Sequence, residues 1–292
     1  MSSKTGKWFL YALVGSSFWG FSGTASSALF IRYHFSAILL SSLRMLIGGI
    51  FIIIIFRAGI PRKDVKNFLV FTFAGLMPVQ ISYIETIKYT NAATATLIQY
   101  LFLPIIFIYE IFKKIIRVDR YIIISTAFAI FGLIELISGF PFSDKNILIN
   151  IYGIIFGMIS AVTAAAYIIM SGNVISKNGS SSSIGYALLI GGIVTLPFSL
   201  NKMYLFDSYI KAEFIGVISL ILFIGIIGTA LSFWLVISSR EKVSSTKTSI
   251  AATMEPFMAA ITSSTFLNIF LKPVQYLGFA LIIVSVIIST KS

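Results

Sequence analysis

The chain is 292 residues long, 58% hydrophobic and only 11% charged, with a mean hydropathy of +0.98 and a formal net charge of +12. Soluble domains carry about 25% charged residues, so this composition excludes an ordinary soluble protein. With no cysteine there is no disulfide or thiolate chemistry, and the basic residues fall in short connections between apolar runs, a pattern of membrane topology signals and not of nucleic-acid binding.

An apolar helix needs about 20 residues to cross the hydrocarbon core. Ten such runs follow one another: 8–30, 36–56, 67–88, 92–112, 120–139, 149–171, 183–201, 213–237, 245–269 and 273–290. The first is too long for the core of a signal peptide and leads straight into further spans, so it reads as a helix. His34, the one histidine, sits between the first two runs and reads as an interfacial side chain. "GFPFSDKN" (139–146) divides the chain into halves, 1–140 and 149–292, of five spans each. "KNGSSSSIG" (177–185) reads as a flexible connection. The expected fold class is an all-α polytopic membrane protein with ten transmembrane helices, set in the lipid bilayer of the plasma membrane.

Alternate connections differ in charge. One side carries 15 Lys and Arg, in the N-terminus, 57–66, 113–120, Lys177, 240–247 and Lys291. The other carries 6: Arg32, Lys88, Lys145, Lys202, Lys211 and Lys272. The excess predicts that both termini are cytoplasmic.

The halves also resemble each other. "LRMLIGGIFI" (43–52) aligns with "YALLIGGIVT" (186–195), and "ATLIQYLFLPIIF" (95–107) aligns with "KTSIAATMEPFMA" (247–259). Five spans per half is an odd number, so equivalent helices run in opposite directions. This is a 5+5 inverted-topology repeat, an arrangement that often underlies alternating access in secondary transporters.

Charged groups inside the spans are few. At about 1.5 Å per residue, Glu255 lies roughly 15 Å into its span and Arg44 roughly 12 Å from the opposite surface, at similar depth. A charge there costs about 2.5–3.5 kcal/mol on insertion scales, so both are expected to face the bundle interior. Two readings stay open. Either the two pair and hold helices together, or both face a cavity, Arg44 for a carboxylate and Glu255 for an amine or a proton.

Pro78, Pro104 and Pro256 mark helix bends, because proline lacks an N–H and clashes with the carbonyl four residues back. They release the carbonyls of Ala74, Tyr100 and Ala252, and irregular backbone survives in a membrane only where protein or water supplies partners. Trp19, Tyr83, Tyr100, Tyr167 and Trp234 are aromatic candidates for a cavity wall. Gln80 and Gln99 are polar candidates, or hydrogen-bonding glue between helices. Glu85, Glu110 and Glu135 lie near the interfaces, where reaching water is the expectation.

The stretch "MEPFMAAITSSTFLNIFLKPVQYLGFALIIVSVII" (254–288), with "FWG" (18–20) and "LRMLIGG" (43–49), resembles the EamA-type branch of the drug/metabolite transporter superfamily. The resemblance implies ten helices, a 5+5 inverted repeat and a central cavity built mainly from spans 1–4 and 6–9. Members are mostly exporters of amino acids and other small metabolites, with some importers. One departure matters: the glutamate that commonly ends the ninth span is Asn268 here.

The expected function is a secondary transporter of a small-molecule metabolite, most simply an exporter, facilitative or driven by protons. The alternatives are an importer of a cationic or quaternary amine, and a membrane protein that transports nothing. No enzyme is expected: HExxH and GxSxG motifs are absent, and Asp64, Asp119, Asp144 and Asp207 all sit in connections. Neither a cofactor nor a metal is expected.

Overall fold

The structure is a computed structural model that describes residues 3–90, 92–116, 118–138, 151–200, 213–267, 273–289 and 291. The dividing segment 139–146 with Asp144 and Lys145, and also Lys202, Asp207, Lys211, Asn268 and Lys272, lie outside the described residues.

The described residues are helical almost throughout. In chain order the helices are α1 (Ser3–Tyr33), α2 (Ala37–Ile55), α3 (Val65–Tyr89), α4 (Ala92–Gln99), α5 (Phe102–Phe112) and α6 (Arg120–Ser138). The second half holds α7 (Ile151–Asn178), α8 (Ser180–Leu200), α9 (Phe214–Ser239), α10 (Ser245–Ala252), α11 (Met254–Leu267) and α12 (Pro273–Ser289). Five of them, α2, α3, α7, α8 and α9, are long and apolar enough to cross a membrane. With the shorter apolar helices they make a multi-pass membrane protein.

Helix starts follow local chemistry. Ser36 caps α2 by accepting from the Leu39 N–H, and Ser244 caps α10 by accepting from the Lys247 N–H. Asp119 does the same for α6, accepting from the Ile122 N–H at 2.8 Å.

The helices differ from uninterrupted α-helical runs in four places. The runs 92–112 and 245–269 are each two helices, broken at Tyr100–Leu101 and at Thr253. In both, the following proline (Pro104, Pro256) sits in the first turn of the new helix, where a missing N–H costs nothing. Pro78 causes no break; a π-helical turn, Phe71–Leu76, precedes it inside α3. A second π turn, Ile226–Leu231, interrupts α9.

The serine-rich segment 177–185 is not a flexible connection. Only Gly179 interrupts the helices there, at φ +79°, a conformation glycine adopts without steric cost. The serines are held instead of solvated: Ser182 donates to the Gly59 carbonyl, and Ser183 donates to the Gly179 carbonyl at 2.7 Å.

Glu110 does not reach for water either. It is 1% exposed and accepts from the N–H groups of Ser245 (2.9 Å) and Thr246 (3.0 Å), tying the end of α5 to the start of α10. A carboxylate at a helix N-terminus satisfies donors that have no partner within the helix. Nearby, burial pushes the Arg240 guanidinium down to about 10, with Glu110 acting the other way. It therefore stays charged at neutral pH and donates to the Ile168 carbonyl at 3.1 Å. Glu85 and Glu135 are half-buried, and Glu85 pairs with Lys88 at 3.3 Å. His34 is exposed between α1 and α2.

Packing pairs helices across the two halves. α2 lies against α8, α6 against α12, α1 against α9 and α11, and α3 and α4 against α7. The α2–α8 contact is close and antiparallel. A Cβ on Gly49 would lie 2.5 Å from the Leu189 nitrogen, and one on Gly192 would lie 2.8 Å from the Leu46 nitrogen. Small residues of this kind let helix backbones approach where lipid supplies no hydrophobic drive.

Candidate functional site

The two breaks bring irregular backbone to the middle of the bundle, and the groups freed there find specific partners. The Ala252 carbonyl, released by Pro256, accepts from the Tyr100 hydroxyl. The Tyr100 carbonyl, released by Pro104, accepts from the Leu103 N–H at 3.0 Å. Each break is therefore stitched rather than left open, and the one at Thr253 is stitched by a side chain from the other.

Beside the breaks lies a cavity with about 40 Å³ open to the centres of water molecules. A water needs roughly 10–15 Å³ on that measure, so about three fit. Its charged groups are Arg44 from α2 and Glu255 from α11, only 5% and 7% exposed. They are not an ion pair. Among the described residues the ion pairs are Arg32–Glu213, Lys88–Glu85 and Lys177–Asp64. Arg44 donates through Nε to Thr229 Oγ1 at 2.8 Å, and Thr229 passes its own hydrogen to the Ile224 carbonyl at 2.9 Å. The second π turn places Thr229 for this role.

Glu255 is held by two tyrosines. Tyr83 Oη lies 3.2 Å from Oε1, and Tyr100 Oη lies 3.1 Å from Oε2. A tyrosine hydroxyl has one hydrogen. Tyr100 therefore shares its hydrogen between the Ala252 carbonyl and Glu255 Oε2. Tyr83 Oη also lies 3.1 Å from Thr96 Oγ1.

The remaining walls are aromatic and polar. Trp19 meets Phe233 edge-on at 4.8 Å, and Tyr167 lies 5.8 Å from the same ring, so α1, α9 and α7 present one continuous aromatic surface. Three cavity-lining groups are buried without a hydrogen-bond partner: Trp19 Nε1, Ser22 Oγ and Gln80 Nε2. Buried polar groups are normally paired, so three residues bordering this space carry unmet donors, as suits a polar ligand.

Of the sequence candidates, Trp19, Arg44, Gln80, Tyr83, Gln99, Tyr167 and Glu255 line this cavity. Gln99 also donates to Ser160 Oγ at 2.8 Å, the helix-to-helix bond that is the alternative for such a residue. Tyr100 stands behind Glu255. Trp234 is not brought here; it lies in a separate vestibule and donates to Ser181 Oγ at 2.9 Å. Ser22, Phe233 and Thr229 belong to the site but carry no sequence signal that sets them apart from neighbouring small and aromatic residues.

The EamA-like transporter family matches residues 6–138 and again residues 151–291. The uncharacterized inner membrane transporter YicL of Salmonella typhimurium (strain LT2) is 28% identical over 297 residues, spanning 98% of this chain and 95% of that protein. A solved crystal structure of another protein superposes with a TM-score of 0.75 at 16% identity, covering 99% of this chain and 97% of the other, and so shares the fold.

Proposed function

The chain belongs to the EamA-like transporter family, and on that premise we propose that it exports a small zwitterionic metabolite, such as an amino acid, by alternating access at the Arg44–Glu255 cavity. The observation that carries this is the pair of opposite charges facing one cavity without neutralising each other. Holding two charges at depth apart is costly unless a partner of matching polarity arrives. A zwitterion supplies both halves: its carboxylate to Arg44, with the free Ser22, Gln80 and Trp19 donors nearby, and its ammonium to Glu255. The aromatic wall covers its apolar part.

Glu255 is also the proposed proton carrier. It is buried without an ion-pair partner among the described residues, so a proton and an arriving ammonium compete for its carboxylate. Substrate and proton would then exchange at one group.

An inverted repeat supplies the motion. Exchanging each span with its counterpart five spans later maps the main contacts between the halves onto one another, which supports that reading. α2–α8 and α6–α12 map onto themselves, α1–α9 onto α7–α3, and α1–α11 onto α7 with α4 and α5. The π turns of α3 and α9 and the breaks at Tyr100–Leu101 and Thr253 correspond in the same way. Such repeats rock about a midplane site. The basic residues argue for both termini, and the Glu110–α10 tie, on the cytoplasmic side. A cavity with room for about three waters must widen to admit a metabolite, and the proposed cytoplasmic opening parts that tie.

The test is exchange in reconstituted vesicles, comparing an amino acid with its decarboxylated amine and its deaminated acid. Flux of the amino acid alone is the expected result. Flux of the amine without the acid would instead favour a cation carrier, and no flux of any solute in a wider panel would leave a membrane protein that transports nothing.

A further inference from the structure

We propose that the vestibule around Trp234 is a second binding site, one that takes the ammonium group of a solute before it reaches the central cavity. The inference rests on the transport reading above for its direction, but not for its chemistry. The vestibule has about 300 Å³ open to water centres and lies where the N-terminal ends of α1 and α8 meet the C-terminal end of α9.

Three rings line it. Trp8 meets Tyr11 edge-on at 5.5 Å, and Tyr11 lies 6.1 Å from Trp234. Trp234 is fixed from outside the vestibule, stacked on Phe56 at 4.5 Å, and its indole N–H is spent on Ser181. Its role here is therefore that of a π surface. Aromatic faces grouped in this way attract ammonium and quaternary ammonium groups.

The site has a carboxylate and a free polar group. Glu241 accepts from Ser180 Oγ at 3.0 Å through Oε1, and it belongs to none of the ion pairs among the described residues. Ser238 Oγ, on a residue 2% exposed, lines the same space without a hydrogen-bond partner. An ammonium lodged among the rings satisfies both, donating to Glu241 and to the Ser238 oxygen. The protein's own Lys7 already places its Nζ 5.5 Å from the Tyr11 centroid, a resident cation that a ligand must work against.

The vestibule leads towards the central cavity. Trp8, Tyr11, Gly15, Trp19 and Ser22 recur every three or four residues and so share one face of α1. Trp8 and Trp19 are separated by roughly 16 Å along the axis. Between them Gly15 closes the way: a Cβ there would lie 2.7 Å from the Ser232 carbonyl oxygen, so α1 and α9 touch through their backbones. The vestibule is thus a waiting position outside a closed gate, and it selects for the amine half of the solute before the carboxylate half meets Arg44.

The test is saturation-transfer NMR on the purified full chain with methylammonium, which keeps three N–H donors and whose methyl resonance reports contact with aromatic protons. Wild type is expected to transfer saturation, and Glu241→Gln to weaken binding about fivefold or more. Trp234→Leu is expected to do likewise, Lys7→Ala to tighten it, and Glu85→Gln, at a carboxylate paired with Lys88 away from the vestibule, to leave it unchanged. Glu241 is exposed, so its conservative variant tests the site without disturbing the core. Binding that survives in both Glu241→Gln and Trp234→Leu, or that is lost in Glu85→Gln, would overturn the proposal. The readout needs no transport, so failure of this site and failure of the export reading are separate results.

Discussion

Replacing Arg44 by alanine is expected to cut amino-acid flux by ~100-fold or more, because two charge-assisted hydrogen bonds to a carboxylate, at about 1.5–3 kcal/mol each, are lost. The change should not unfold the protein. Arg44 gives the rest of the protein one hydrogen bond, to Thr229, and Thr229 keeps its own bond to the Ile224 carbonyl when the guanidinium is gone. The loss is then one of recognition. Arg44→Lys is expected to fall between the two, since an ammonium keeps the charge but lacks the planar fork that grips both carboxylate oxygens. Initial rates in vesicles, normalised to the amount of folded protein, measure the effect. Flux in Arg44→Ala within a few-fold of wild type would place the carboxylate elsewhere.

Gly49→Val is expected to lower stability by about 1–3 kcal/mol or more, the usual cost of overpacking. The atoms in the way are backbone: a Cβ at 49 meets the Leu189 nitrogen at 2.5 Å and the Gly185 oxygen at 2.8 Å. No rotamer change relieves that, so α2 and α8 must separate. Gly192 repeats the contact against Leu46 from the other helix, at 2.7 Å from its Cγ and 2.8 Å from its nitrogen. Gly216 is the control, having only the Tyr33 hydroxyl at 3.8 Å, and Gly216→Ala is expected to be neutral or slightly stabilising. Thermal unfolding midpoints in one detergent compare the three proteins. A Gly49→Val midpoint equal to wild type would mean that the helices do not need this approach.

The apolar runs are legible because their length and hydropathy are properties of a local segment. The breaks are legible in part. Pro104 and Pro256 tell where a helix is disturbed, since the clash falls on the carbonyl four residues back, but not that Tyr100 holds the Ala252 carbonyl from another helix. Pro78 shows the limit of the rule, because a π turn takes up the disturbance without a break. The serine run reads as flexible by composition, yet its hydroxyls find carbonyl partners, Ser182 at Gly59 and Ser183 at Gly179, which composition does not show. Glu110 is opaque for another reason: its partners, two N–H groups at 245 and 246, are far away in sequence.

Trp234 and Phe233 teach a related point. Adjacent helical residues point about 100° apart at 3.6 residues per turn, so only one of them faces the cavity. The sequence offers no fixed axis from which to choose. Arg44 and Glu255 are legible because charge at depth is expensive wherever it points. That they line one cavity yet stay apart is a property of tertiary packing alone.

Efflux of the amino acid from vesicles, with and without a pH gradient, for wild type and Glu255→Gln, tests the central claim most directly. A transporter that exchanges substrate for a proton at Glu255 predicts that the gradient drives wild-type flux and has no effect on the glutamine variant. Wild-type flux indifferent to the gradient, or a glutamine variant that the gradient still drives, would contradict it.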